Sequence, residues 1–239
     1  MLRINTFGGL TLRQGDAPLT GAPTQRRRMA LLALLAVAGD KGVARDKLLA
    51  LLWPEGETEK SRHALNQILS AQRRHFGDAQ LFDGRKTVRL NRDLISSDLD
   101  LFEKALASGD LDTAVELYSG PFLDGFFVPD SPEFETWASD HRSRLANRLA
   151  DALDRAAVAA HAAGSHNEAV KWRRHEVELD RLDSARTLRY AHSLVLSGNR
   201  AGAIRALREC PSRISDELGV AGDPQLANRI AELTSELGG

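Results

Sequence analysis

Residues 59–76 carry amides and basic side chains at a spacing that places them on one side of a helix. With Leu65 as origin and about 100° per residue, Ile68, Leu69, Gln72 and Phe76 fall within about 60° of it. That stripe is apolar except for Gln72. Asn66, Ser70, His63, Arg74 and Gln67 fall about 100–200° away, flanked by Arg62 and Arg73. The outer strip holds no carboxylate; Glu55, Glu57 and Glu59 sit only at the leading end, where they suit the helix dipole. Asn and Gln can pair bidentately with adenine, and Arg with guanine or phosphate. The chemistry of such a strip is base-edge and phosphate recognition; its bland alternative is a solvated polar face. A second basic group, Arg85 and Lys86 with Arg89 and Arg92 behind it, falls in a hairpin, where cations can track phosphates or enter a minor groove. A third, Arg26-Arg27-Arg28, opens a helix. Cations there oppose the dipole, so a phosphate partner for Arg26 and Arg27 would account for them, as would stems laid over apolar neighbours.

These groups need elements to hold them. Leu2–Phe7, Leu10–Arg13 and a short segment near Leu19 read as a small antiparallel sheet. A helix is expected over Gln25–Ala38 with Thr24 as N-cap, and a second over Val43–Trp53, stopped by Pro54. A third is expected from about Glu59 to Phe76, capped by Thr58 and ended by Gly77. Gln80–Phe82 and Thr87–Leu90 flank Asp83-Gly84 as a hairpin. This order is that of a winged helix preceded by a small sheet, in which the second and third helices form the helix-turn-helix and the hairpin is the wing.

Beyond Asp98 the pattern is almost all helical. Gly109, Gly164 and Gly198 each follow an Ala/Leu-rich segment, and five residues after each come Ala114-Val115, Ala169-Val170 and Ala203-Ile204. The step from Gly164 to Gly198 is 34 residues, the period of a tetratricopeptide repeat. The step from Gly109 to Gly164 is 55, with the extra length around Gly120–Phe127 and a long helix from about Pro132. The predicted fold is mainly α: a winged-helix domain over 1–97, then an all-α tetratricopeptide-like solenoid over 98–239. A last helix, capped by Asp223 with Pro224 at its first position, is expected to reach about Leu237. Pro211 is expected to separate or kink Ala201–Glu209 from Ser212–Leu218.

Composition narrows the function classes. With 239 residues, 42% hydrophobic and 27% charged, the chain reads as a globular protein of one or two domains. The single cysteine, Cys210, excludes an internal disulfide and a Cys-rich zinc site, and fits a reducing cytoplasm. The longest apolar run, Met29–Ala38, is ten residues, too short to span a bilayer, and the N-terminus lacks a signal-peptide core. The net charge of −1 conceals an asymmetry. Residues 1–98 hold 16 Lys and Arg against 10 Asp and Glu, and residues 99–239 hold 16 against 23. A net +6 beside a net −7 suggests a polyanion-binding module joined to one of another kind. His161, His166 and His175 lack zinc-ligand spacing, and His161 and His175 are expected on solvated helix faces. There is no Gly-x-Ser-x-Gly elbow, and Asp110 and Asp112 read as helix-start residues. Trp53, Trp137 and Trp172 read as core. No catalytic residue, metal ligand or cofactor is expected.

Gln25-Arg-Arg-Arg-Met-Ala-Leu-Leu-Ala-Leu-Leu, Arg45-Asp-Lys-Leu-Leu-Ala-Leu-Leu-Trp-Pro and Ala64-Leu-Asn-Gln-Ile-Leu-Ser-Ala-Gln-Arg-Arg together resemble the SARP-type transcriptional regulators, the Streptomyces antibiotic regulatory protein family. Downstream, Ser97-Asp-Leu-Asp-Leu-Phe, Gly120-Pro-Phe-Leu-Asp-Gly and Asp216-Glu-Leu-Gly-Val resemble that family's bacterial transcriptional activator domain. The resemblance implies an OmpR-like winged helix on promoter direct repeats, a tetratricopeptide-like partner domain, and activation by contact with RNA polymerase. Three positions depart from it: Gln72 where Leu is usual, Lys86-Thr-Val-Arg-Leu in place of a Gly-Tyr-containing wing strand, and Pro211 within an expected helix. The nucleotide-binding loop of larger members is absent from this sequence, so ATP hydrolysis is not expected. The reading is a cytoplasmic, nucleoid-associated activator that binds double-stranded DNA through Arg62, His63, Asn66, Gln67, Ser70, Arg73, Arg74, Arg85, Lys86, Arg26 and Arg27. RNA polymerase and a second copy of the chain are the expected protein partners. Two alternatives stay open: a tetratricopeptide-type interaction adaptor with a vestigial winged helix, and the front segment of a longer regulator.

Overall fold

Four short strands open and close the N-terminal part of the computed structural model, which describes residues 1–21, 24–76, 80–219 and 223–235. They are β1 (Leu2–Asn5), β2 (Thr11–Gln14), β3 (Ala17–Pro18) and β7 (Ile95–Ser97), in the order β3-β2-β1-β7. Alternation puts Leu2, Ile4 and Leu12 on the buried face. β1 pairs antiparallel with β2 and parallel with β7, with Ile4 opposite both Leu12 and Ser97. The expected antiparallel sheet is therefore mixed: Ile95–Ser97 is too short to carry a periodic signal, and its partner lies some ninety residues earlier. Immediately after β7, Asp98 fixes the end of β1. Its carboxylate accepts from Thr6 N (2.6 Å), Thr6 Oγ1 (2.8 Å), Phe7 N (3.0 Å) and Leu99 N (2.8 Å). Burial pushes its pKa up against the pull of these bonds.

Helix α1 (Arg26–Ala38) buries every residue from Met29 to Ala36, as an apolar helix at the centre of a core must. It begins one residue later than expected. Gln25 holds the N-cap position through its backbone, while the Thr24 hydroxyl donates to Gly21 O (3.0 Å) instead of capping. The second expected helix is also shorter. Val43–Ala44 forms β4, opposite Val88 and Thr87 of β6 (Thr87–Leu90), and α2 covers Arg45–Leu52. Gly42 makes this turn possible: it has φ +63°, and a Cβ there would meet Val88 O at 2.5 Å. Helix α3 spans Thr58–His75, with Glu57 rather than Thr58 at the N-cap position; the expected stop at Gly77 lies outside the described residues. The wing is β5 (Phe82–Asp83) against β6, within a three-stranded sheet β4-β6-β5. Gly84 turns it at φ +89°, where any Cβ would run into Thr87 O.

The chain forms two compact units, Met1–Leu145 and Ala146–Gly239. In the first, α4 (Asp98–Ser108), α5 (Leu111–Leu117) and the start of α6 (Pro132–Ala162) complete the N-terminal core. Phe7 lies 4.9 Å from both the Phe102 and Tyr118 rings, and Leu123 N donates to Thr6 O at 2.8 Å. In the second, the rest of α6 is followed by α7 (His166–Leu179), α8 (Ser184–Leu196), α9 (Arg200–Leu218) and α10 (Pro224–Ser235).

The repeat signal is a real structural unit. Gly109, Gly164 and Gly198 have φ of +77°, +76° and +82°. The residue after each donates back to the fifth residue before it: Asp110 N to Ala105 O (2.9 Å), Ser165 N to Ala160 O (2.8 Å) and Asn199 N to Leu194 O (2.8 Å). These are left-handed helix stops that release the chain into the next helix. Ala114, Ala169 and Ala203, five residues after these stops, are all 0% exposed. The structure is thus a winged helix followed by an all-α, tetratricopeptide-like region.

Two expectations in the second unit are corrected. Pro211 does not divide the segments: helix α9 spans Arg200–Leu218 with the proline inside it, so the expected separation does not occur. Its buried stripe of Ala203, Leu207, Cys210 and Ile214 continues across the proline, and this burial outweighs a penalty of roughly 3 kcal/mol. His161 is half-buried rather than on a fully solvated face: its Nδ1 lies 3.2 Å from His166 Nδ1, and its Nε2 lies 2.8 Å from Oγ of the buried Ser193. Desolvation, then the charges of His166, His192 and Arg173, lower its pKa. His175 is likewise half-buried, 3.1 Å from Glu178. A buried ion pair was not foreseen. Arg173 contacts Glu176 (2.6 Å) and Asp154 (2.5 Å), and Arg189 also contacts Glu176 (2.5 Å). Among the described residues no helix is long and apolar enough to cross a membrane, and no group of three metal-ligating side chains forms.

Candidate nucleic-acid interface

Helix α3 buries Ser61, Leu65, Leu69 and Gln72, a stripe at four- and three-residue spacing. Arg62, His63, Asn66, Gln67, Ser70, Arg73 and Arg74 are all exposed on the rest of its surface. Gln72 lies inward at 1% exposure, where the helical arithmetic put it, and Ile68 is only half-buried. Along the strip, Gln67 Nε2 and His63 Nε2 are 2.8 Å apart. Arg62 pairs with Glu59 at 3.0 Å in an exposed contact that a phosphate could readily replace. Arg73 Nη2 donates to Phe82 O (3.2 Å), tying the C-terminal half of the helix to the first wing strand.

Arg45, the first residue of α2, joins the helix to the wing, and sequence reasoning missed it. Its Nη1 donates to Asn66 Oδ1 (2.8 Å), its Nε to Arg85 O (2.6 Å), and its backbone N to Lys86 O (3.1 Å). One guanidinium therefore holds the wing turn beside the middle of α3. Arg85 and Lys86 are exposed at that turn, and Arg89 is exposed on β6. The signal that could have found Arg45 is the one that singled out Arg26–Arg28: a cation at a helix start, against the dipole.

The remaining basic residues are used elsewhere. Arg92 pairs with Asp40 (3.2 Å) and Asp100 (2.8 Å), so it is not part of the wing's basic face. Arg26 donates to Phe127 O (3.1 Å) and stacks 4.0 Å from the Phe127 ring. Arg27 donates to Leu52 O (3.1 Å), closing the C-terminal carbonyls of α2, and to Pro129 O (3.3 Å). Its guanidinium lies 5.7 Å from the Trp53 ring. These two arginines join the start of α1 to loop 119–131 and to α2. The structure does not bring them together with the α3 strip.

The family described as bacterial transcriptional activator domain matches residues 78–234. The fold is similar to that of Mycobacterium tuberculosis EmbR, in complex with a low affinity phosphopeptide, with a TM-score of 0.59 and 20% identity over 98% of this chain. The chain spans 65% of that protein's length, and at this identity the likeness is one of fold. A weaker likeness, with a TM-score of 0.29 and 14% identity, covers 58% of this chain and 94% of the TPR2B domain of yeast Sti1 in complex with pHsp70; nothing is argued from it. No curated protein is significantly similar in sequence.

Proposed function

Because the chain belongs to the bacterial transcriptional activator domain family, we propose that it is a transcriptional activator of the SARP type, a transcription factor rather than an enzyme, and that it binds promoter DNA sequence-specifically. Helix α3 enters the major groove. Asn66, Gln67, Ser70 and Arg74 face base edges, while Arg73, Arg85 and Lys86 anchor phosphates. His63 and Arg62 extend the contact toward the start of the helix. The observation that supports this reading best is the exposed strip of α3, which carries amides and cations over its full length and has carboxylates only at its leading end. Residues 98–239 have the other role, contact with RNA polymerase or with a second copy of the chain on direct repeats. The chain works in the cytoplasm, on the nucleoid when bound.

The test is a titration against the DNA upstream of its own gene at several salt concentrations. Neutralising about 6 phosphates gives a log–log slope near −5. Asn66→Ala with Gln67→Ala removes the preference for the specific site and leaves most of the salt-sensitive binding. A flat salt response would favour the adaptor with a vestigial winged helix.

A further inference from the structure

Asn66 reaches out from α3 with one end of its amide already engaged. Arg45 is donor-only, since a guanidinium has five N–H groups and no acceptor. The atom that meets it at 2.8 Å must therefore be the amide oxygen, and the O/N assignment of Asn66 is dictated rather than chosen. Arg45 is itself held. Its backbone N–H is bonded to Lys86 O and its Nε to Arg85 O, so it cannot follow the amide if the amide turns over. A free asparagine on a recognition helix can present either its oxygen or its nitrogen to a base. Here turning over would set two N–H groups against a guanidinium. The geometry points to Arg45 as a specificity-determining residue: it locks Asn66 so that Nδ2 is the atom given to DNA, and the position it reads must offer a hydrogen-bond acceptor.

In the major groove, guanine offers N7 and O6, adenine N7 and thymine O4, whereas cytosine offers only the donor N4–H2. The site thus rejects cytosine at the base facing Asn66 and accepts the other three. The same link sets register. The wing turn and Asn66 share one guanidinium, so a phosphate contact at Arg85 or Lys86 fixes which base pair Asn66 meets. This inference rests on the DNA-binding reading above.

The experiment is base selection by the full chain from DNA randomised around its upstream site, run beside the salt titration. Wild type is expected to disfavour cytosine at one position by roughly tenfold. Arg45→Lys keeps the charge but cannot bridge both Asn66 and Arg85 O. It is expected to bring cytosine close to parity while salt-sensitive binding to DNA persists, with a slope that falls only as far as the loosened wing loses phosphate contacts. Asn66→Asp, at an exposed position that keeps an acceptor for Arg45, turns the outward group into an acceptor and is expected to shift selection toward the bases that offer a donor, cytosine through N4–H2 and adenine through N6–H2, and away from guanine and thymine. Unchanged selection in Arg45→Lys, whatever its salt slope, overturns this inference while leaving DNA binding standing. Wild-type selection in Asn66→Asp does the same. A wild-type chain with no salt-sensitive binding to any DNA overturns the functional reading, and this inference with it.

Discussion

Replacing Glu176 with Ala is the sharpest probe of what holds the second unit together. Glu176 is 2% exposed and Arg173 5%. Their side chains meet at 2.6 Å, and Arg189 meets the other carboxylate oxygen at 2.5 Å. Without Glu176 the buried Arg173 keeps, among the described residues, Asp154, whose side chain is 46% exposed and screened by solvent. Removing one partner of a buried pair costs about 3–5 kcal/mol, because the other charge stays buried without compensation. Arg189→Ala removes a partner on a 42% exposed side chain and is expected to cost less than about 1 kcal/mol. The paired change Arg173→Met with Glu176→Leu removes both desolvation penalties and is expected to fall near neutrality. Urea unfolding followed through Trp172, which is buried on the same helix, measures all three, with Trp53 and Trp137 changed to Phe so that they do not contribute. If Glu176→Ala cost no more than Arg189→Ala, the reasoning from burial would be refuted.

Two further outcomes follow from the geometry. The lowered pKa of His161 means that the native state binds fewer protons than the unfolded state once pH falls below the ordinary histidine value of 6.5. Stability is full above that pH and is lost as pH falls through it toward the native pKa. Unfolding at pH 8 and pH 5.5 is expected to differ less in His161→Gln than in wild type; equal differences would show that another group carries the dependence. Gly84→Ala forces a Cβ into Thr87 O at φ +89°, a strain of about 1–3 kcal/mol confined to the wing. It is expected to weaken DNA binding and flatten the salt slope, while far-ultraviolet circular dichroism keeps its helical signal.

The features legible in the sequence were those written in local spacing. The strip on α3 follows from Leu65 and Leu69 fixing which side faces inward. The repeat turns follow from glycine at a left-handed stop and alanine five residues on. The wing follows from Gly84 between two β-forming runs. What escaped was set by distant partners. Val43–Ala44 precedes a Leu-rich helix and looks like its first turn until Val88 is seen opposite. Ile95–Ser97 has no pattern of its own and is a strand only because Leu2–Ile4 lies beside it. Arg27 was read as a phosphate ligand because its acceptors, Leu52 O and Pro129 O, come 25 and 102 residues later. Arg45 was passed over for the same reason: Asn66 and Arg85 lie 21 and 40 residues away.

The seating of β1 has a consequence for how the protein is made. Leu2–Asn5 leaves the ribosome some ninety residues ahead of Ile95–Ser97, one of its strand partners, and the end of the strand is pinned by Asp98, Phe122 and Leu123, which come later still. Closing so long a loop is slow compared with forming the helices in between, which need only their neighbours. The groove-facing helix can therefore take shape while the sheet beneath it still lacks an edge. A nascent chain halted before residue 98 carries the reading surface without the clasp that steadies it.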